Sequence, residues 1–551
     1  MRRTLGVLTG ICLLVSLATT ASAVSPGASA PSRATSPAAA AEHYGSRLDC
    51  AEGSPICAET NDSIGYGGKY TGHDEPSLLF YSATPGSGSE SNYRVTIPAE
   101  PPTLPKQDGS GGTFNFQNRI AFWFGMDLCD NQSAPEFTHD PCVPASDTNI
   151  FDGADPTQPD YIGHHPGTAF LEVQFYPPGW VPFQEAISCD PTQWCAAVAI
   201  FSFNRDQNQL IDNNADCLNK VGIEPANFAF ITKSGAPHAP AAPLSLTLGS
   251  FTPNPTTDLF MDAGDAIDLS IHDSADGLVV AIDDLTKGES GSMTASVANG
   301  FAQVNFQPTA ATCSQTPYAF HPMYATSSEH TRVPWAAHSY NVAFSDEIGH
   351  FEYCAKANKN GGCIQPGGSD KHKDGDDVGC FNADESLLVK VGGCIATDND
   401  FDGVSYQPGW PGTLTNPALD AALHPASIRF SSPTFGGGQN YERVGFEADL
   451  PRIEAADFGG ICDRSTGAGC TNPPPGSNFY PFFSTSTDAT VGCAWQEGGA
   501  HIPGTTNTFG GNSAAEFGGL LFLDYPGPGF TPIHRTNDYR QVLSSNPCAR
   551  S

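Results

Sequence analysis

Between Gly264 and Ser296 the chain alternates apolar and polar residues with a period of two. Ile267, Leu269 and Ile271 interleave with Asp268, Ser270 and His272; a turn at Asp273 to Gly277 and the run Leu278 to Asp283 follow. Successive side chains of an extended strand leave opposite faces, so this pattern buries one aliphatic row and leaves the other row polar. After a second turn at Leu285-Thr286-Lys287-Gly288 comes the run Ser292 to Ser296, which completes a three-strand meander. Short runs of the same kind recur at Leu78 to Ser82, Ile120 to Met126, Phe170 to Tyr176, Ala196 to Phe203 and Phe228 to Thr232. They return at Arg429 to Ser432, Val444 to Leu450, Phe479 to Ser484 and Gly519 to Asp524. Clusters of Gly, Pro, Asn and Asp separate them, which is the grammar of an all-β chain. With 58 Gly, 46 Pro and 15% charged residues, the chain lacks the Ala/Glu/Lys/Leu-rich periodic stretches of long helices.

The first 23 residues carry Arg2 and Arg3, an apolar run from Leu5 to about Ala18, and Ala21-Ser22-Ala23. This is the layout of a secretory signal peptide, and it predicts an extracellular, oxidised protein. Cleavage after Ala23 removes Cys12 and leaves 16 of the 17 cysteines, an even number. They fall into neighbouring couples: Cys50/Cys57, Cys129/Cys142, Cys189/Cys195, Cys354/Cys363, Cys380/Cys394 and Cys462/Cys470. Cys217/Cys313 and Cys493/Cys548 are the distant remainder. Spacing leaves the connectivity open, but none of these couples has zinc-finger spacing.

Residues 24–41 are nearly all Ala, Ser, Pro, Gly and Thr, a tether that cannot bury a core. The remaining length exceeds one ordinary hydrophobic core. We therefore expect an N-terminal β domain over 42–349, a Cys-rich connector with an acidic loop over 350–401, and a second β domain over 402–551. Net charge is −34, and loss of the two signal arginines makes it −36. Only 25 Lys and Arg are present, with no basic run, which excludes a nucleic-acid partner because phosphate recognition needs clustered cations. No second apolar stretch approaches the roughly 18 residues that span a bilayer, so no membrane partner is expected after signal cleavage.

The segment Gly264-Asp265 through Asp283-Asp284-Leu285-Thr286-Lys287-Gly288-Glu289-Ser290 resembles the G-D-x-I … V-x-D-L-T-T-G rhythm of concanavalin-like jelly rolls, a group of lectins, glycoside hydrolases and glutamic peptidases. Gly72-His73-Asp74-Glu75-Pro76-Ser77, Phe175 to Trp180 and Glu347 to Glu352 also resemble a group of uncharacterised secreted proteins of actinobacteria and fungi. The first resemblance implies a concanavalin-like jelly roll, followed here by the disulfide-rich connector and a second β-sandwich. It also implies extracellular polysaccharide or cell-wall glycan as the partner.

Three groups of residues carry candidate chemistry. On Phe170 to Tyr176, alternation puts Glu172, Gln174 and Tyr176 on one face, a carboxylate, an amide and an aromatic suited to a sugar groove, with Trp180 just beyond. Glutamic peptidases use the same types, a glutamate base and a glutamine that stabilises an oxyanion. Glu447 and Asp449 share one face of another strand and resemble the Glu-x-Asp core of retaining glycosidases, although Pro451 stands where a further glutamate is expected. Asp398, Asp400 and Asp402 precede Gly403 in a D-x-D-x-D-G run, the spacing of calcium loops, which makes calcium the expected cofactor. Position 12 is Gly409 rather than the bidentate glutamate of an EF-hand. His164, His165, His321, His330, His338 and His350 have no diagnostic metal spacing, and no G-x-S-x-G elbow, Walker loop or Rossmann fingerprint is present. The expectation is a protein that binds or hydrolyses polysaccharide, with an acid glutamic-type peptidase or a calcium-stabilised surface protein as alternatives.

Overall fold

The computed structural model describes most residues of 77–98, 122–132, 168–176, 189–322, 343–346, 354–357, 363–366, 428–451, 483–497, 519–524 and 536–549. Within them the chain is mainly β, and the one α-helix is Ala215–Val221. The expected meander is present: Ala266–His272 pairs with Val279–Asp284, which pairs with Glu289–Thr294, all antiparallel.

Two large sheets organise the described residues. One has ten strands, in the order Gly519–Asp524, Thr536–Val542, Arg443–Pro451, Ser77–Tyr81, Ala343–Asp346, Phe122–Cys129, Thr168–Tyr176, Trp194–Phe201 and Ala226–Phe230; Phe260–Met261 also pairs with Trp194–Phe201. The other has nine strands. It runs from the meander through Glu90–Thr96 and Arg429–Ser431 to Gly492–Glu497 and Phe483–Asp488, with the hairpin Thr434–Phe435 and Gln439–Asn440 alongside. Ser77–Tyr81 pairs with Ala343–Asp346 on one side and Arg443–Pro451 on the other. Glu90–Thr96 likewise lies between Ala266–His272 and Arg429–Ser431. Strands from before residue 350 and after residue 402 thus share both sheets, and the expected C-terminal block is not a sheet system of its own. A strand edge is satisfied by any strand of matching register, and hydropathy carries no record of which one.

The inner faces of the two sheets share one hydrophobic cluster. Phe124 of the ten-stranded sheet meets Tyr93 and Phe430 of the other at ring separations of 4.5 and 5.5 Å. Phe80 meets Trp495 edge-on at 6.4 Å. The meander follows its alternation: Ile267, Leu269 and Ile271 are buried in this cluster, and Asp268, Ser270 and His272 are half-buried on the other face. The centre of the ten-stranded sheet differs, because every residue of Phe122–Cys129 is buried. A second apolar layer, including Phe228, Phe230 and Phe251, covers part of its outer face.

Disulfides Cys189–Cys195, Cys217–Cys313 and Cys493–Cys548 are closed. Cys129 is also disulfide-bonded, while Cys354 and Cys363 lie on a paired two-strand ribbon. Cys50, Cys57, Cys142, Cys380, Cys394, Cys462 and Cys470 lie outside the described residues. Asn214 caps the helix by accepting the Cys217 N–H at 3.0 Å, and Asp216 accepts the Cys313 N–H at 2.8 Å, so the helix start and its disulfide reinforce each other.

The meander is entered through a charged corner. Lys287 Nζ lies 2.9 Å from Asp262 and 3.7 Å from Asp265. The hydrogen bond from Lys287 holds the Asp262 carboxyl below the usual aspartate range, whereas burial, with Asp284 beside it, raises that of Asp265.

Phe124→Ala should destabilise the protein by about 3–5 kcal/mol, as aromatic truncations in close-packed cores do, and denaturant unfolding measures it. A raised carboxyl pKa means that the fold takes up a proton more readily than the unfolded chain. The Asp265 contribution is therefore most favourable at low pH and is lost as pH rises through the raised value. Asp265→Asn keeps an oxygen to accept the Asp262 N–H, which now bonds Asp265 at 2.6 Å, and carries no charge. It should raise the melting temperature at pH 7, with the gain shrinking toward pH 3; calorimetry at the two pH values tests the sign.

Candidate functional site

Leu171, Val173 and Phe175 enter the shared core, which turns Glu172, Gln174 and Tyr176 to the outer face of the ten-stranded sheet. There Tyr176 OH donates to Gln174 Oε1, and Gln174 Nε2 donates to Glu172 Oε2. All three are buried, with Glu172 at 4% exposure. The sequence pattern allows for a water-facing polar row; the structure makes it an internal ladder, held where polar groups must be hydrogen-bonded. Tyr176 stands opposite Cys195, whose disulfide to Cys189 closes this end of the strand.

The neighbouring strand adds residues that sequence reasoning missed. Gly125 is opposite Glu172, and Trp123 is opposite Gln174. A β-carbon at Gly125 would clash with the six-membered ring of Trp123 and lie 3.1 Å from Leu171 O, so the indole occupies the space that this glycine leaves open. Asp127, two residues further along, is opposite Phe170 and buried at 2% exposure. Asp127 and Glu172 are therefore diagonal neighbours on one face of adjacent strands, a relation that puts α-carbons roughly 7–8 Å apart. The signal was an acid inside the otherwise apolar run Phe122 to Leu128, a place where a charge is costly without partners.

On the same outer side, His238 packs parallel to Phe230 at 5.8 Å. Its Nδ1 lies 2.8 Å from Asp258 Oδ1 and its Nε2 3.1 Å from Gly249 O. This ties the turn Leu248–Phe251 down over the second apolar layer.

Glu447 and Asp449 lie on Arg443–Pro451, with Glu447 in register with both Ser77 and Arg540. The row Gln174, Trp123, Ser345, Ser77 and Glu447 runs straight across the sheet. Four strand spacings amount to roughly 19 Å, so Glu447 and Glu172 do not belong to one carboxylate pair. Trp180, Asp398, Asp400 and Asp402 lie outside the described residues. Among the described residues no group of three or more His, Cys, Asp or Glu is placed to hold a metal, and no helix is long and apolar enough to cross a membrane. His321 bonds Asp273 at 2.8 Å.

Gly125→Ala should displace the Trp123 ring and cost about 1–3 kcal/mol, the range for forcing a methyl into a packed site. A changed near-ultraviolet circular dichroism signal and a lowered unfolding midpoint would register it; an unaltered spectrum would refute the contact. No protein-family model matches the chain, and no curated protein or solved structure gives a significant match.

Proposed function

We propose that this is a secreted protein that binds and hydrolyses extracellular polysaccharide on the outer face of its ten-stranded sheet, with the two large sheets forming a concanavalin-like jelly roll. The observation that carries the reading is the pair Asp127 and Glu172, two acids on adjacent strands of one face, next to the cross-strand pair of Trp123 and Gln174. Glycoside hydrolysis needs two carboxyl groups flanking the scissile bond, about 5–5.5 Å apart for retention and about 6.5–9.5 Å for inversion. Diagonal cross-strand neighbours, with α-carbons roughly 7–8 Å apart, bring two carboxyl side chains to one neighbourhood. One acid protonates the leaving oxygen, and the other attacks the anomeric carbon or activates the water that does. Trp123 packs beside the pair, and Gln174 fixes the orientation of Glu172. Closed disulfides fit export to an oxidising compartment.

One observation favours a second reading. The Gln174 amide bonded to Glu172 is the combination of base and oxyanion donor that an acid glutamic-type peptidase needs. Parallel assays separate the two: release of reducing ends from insoluble polysaccharides, and release of soluble peptide from casein, from about pH 4 to 7, where carboxylate catalysts work. Reducing ends without peptide are expected. Glu172→Gln and Asp127→Asn should each lower the rate by at least about 10²-fold at a temperature where melting curves show both variants folded. Unchanged rates in both variants would refute the site. Loss of rate in Glu447→Gln instead would move it to Arg443–Pro451.

A further inference from the structure

A cleft of about 790 Å³ opens against the nine-stranded sheet, on the side turned away from the shared core. Its floor comes from two neighbouring strands: His272 is directly opposite Glu90, and Ser270, two pairs further on, is opposite Asn92. Its other wall is the hairpin that turns through Gly436, Gly437 and Gly438, all with positive φ, and presents Gln439. Glu90 joins the two walls by accepting the Gly436 N–H at 3.1 Å and the Asn92 side-chain N–H at 2.7 Å. These contacts place both carboxylate oxygens and leave lone pairs for a ligand. His272 Nδ1 lies 3.2 Å from Ser270 Oγ, an arrangement that fixes the ring and leaves Nε2 for the cleft. Asp273 stands beside it, bonded to His321 at 2.8 Å. Ser89, also in the wall, has a buried Oγ with no hydrogen-bond partner.

The chemistry of this lining selects its ligand. Among the described residues, no lysine or arginine lines the cleft. Arg94, on the same face, is held through two nitrogens by Asp268, at 2.7 and 2.6 Å, and Arg429 lies farther along that face, opposite Thr96. With two carboxylates in the wall and a net charge of −34, phosphates, sulfates and uronates are repelled. Among the described lining residues the one aromatic, Phe435, is buried and offers no broad apolar surface to a lipid or an apolar peptide. The lining is a dense set of carboxylate, hydroxyl, imidazole and amide groups in a volume typical of small-ligand sites, whose donors and acceptors can pair with a molecule rich in neutral hydroxyls. We propose that this cleft is a second glycan subsite that takes a short run of neutral sugar units, on the opposite side of the two sheets from Glu172. It rests on the polysaccharide reading for the origin of the ligand, but its residues are independent of the Asp127/Glu172 pair. Two sugar-holding faces would let the protein stay on an insoluble glycan while its catalytic face works on a neighbouring strand.

The test is calorimetric titration of the secreted protein with neutral hexasaccharides of β-linked glucose, xylose and mannose, and with hexagalacturonate as an anionic control. At least one neutral hexasaccharide should bind, and the anionic one should not. Affinity should fall tenfold or more in His272→Ala and in Ser270→Trp, the latter filling the cleft without removing His272. Melting curves on both variants separate loss of binding from loss of fold, and Gln439→Ala, at the exposed rim, should weaken binding even if the other two variants unfold. Glu172→Gln should leave this binding step intact. The subsite is overturned if no neutral hexasaccharide binds, if binding survives in the folded variants, or if hexagalacturonate binds equally well. The polysaccharide-hydrolysis reading fails separately, by absence of reducing-end release while cleft binding persists.

Discussion

The close contact of Phe124 with Tyr93 and Phe430 is the constraint on which the rest of the molecule depends. These three rings come from strands more than 300 residues apart at their extremes, and they join the two sheets at their inner faces. Phe80 and Trp495 repeat the arrangement with an even longer separation. Each fully buried ring is worth on the order of 1.5–3 kcal/mol in surface removed from water, provided that both sheets are present to bury it. Neither end of the chain can therefore complete this core alone. Contacts so distant in sequence make loop closure expensive before any packing is gained, which predicts slow folding. The Cys493–Cys548 disulfide ties the C-terminal segment to the strand that carries Trp495.

Burial on both faces of the ten-stranded sheet dictates the order of the polar ladder. An ionised carboxylate only accepts hydrogen bonds, a phenol has one proton to donate, and an amide does both. Gln174 is thus the residue type that can stand between Tyr176 and Glu172 and satisfy both. An acid in its place would set two carboxylates against each other, and a hydroxyl would not span the gap. The same requirement explains the glycine at position 125, where a side chain would take the room filled by the Trp123 ring beside the ladder. Stability and orientation of Glu172 come from one set of contacts.

The strands were legible in the sequence wherever one face met water. Ile267, Leu269 and Ile271 announce their register because the other face of their strand is polar. Glu172, Gln174 and Tyr176 were legible as sharing a face, but their burial was not, since alternation looks the same whether the polar row meets solvent or its own hydrogen-bond partners. Asp127 was hidden because a strand buried on both faces has no period to interrupt. Glu90 and His272 meet only through a pairing that joins positions 182 residues apart, and Ser77 gains Glu447 as a neighbour across a still longer gap. Local pattern specifies strands, whereas edge-to-edge pairing is decided by the global fit of the core, and both candidate sites lie across such pairings.

The two outer faces differ in what their polar residues do for the fold. On the nine-stranded sheet the Arg94–Asp268 pair has both side chains at 40% exposure, and ion pairs so wet contribute roughly 0–1 kcal/mol. Removing that pair changes stability little, and Ser270 and His272, half-buried on the same face, do not enter the shared core. The outer face of the ten-stranded sheet is the reverse: Asp127 and Glu172 are almost fully buried, and an acid there weakens the fold unless its partners are in place. A hydrophobic pair would serve the core better at those two positions.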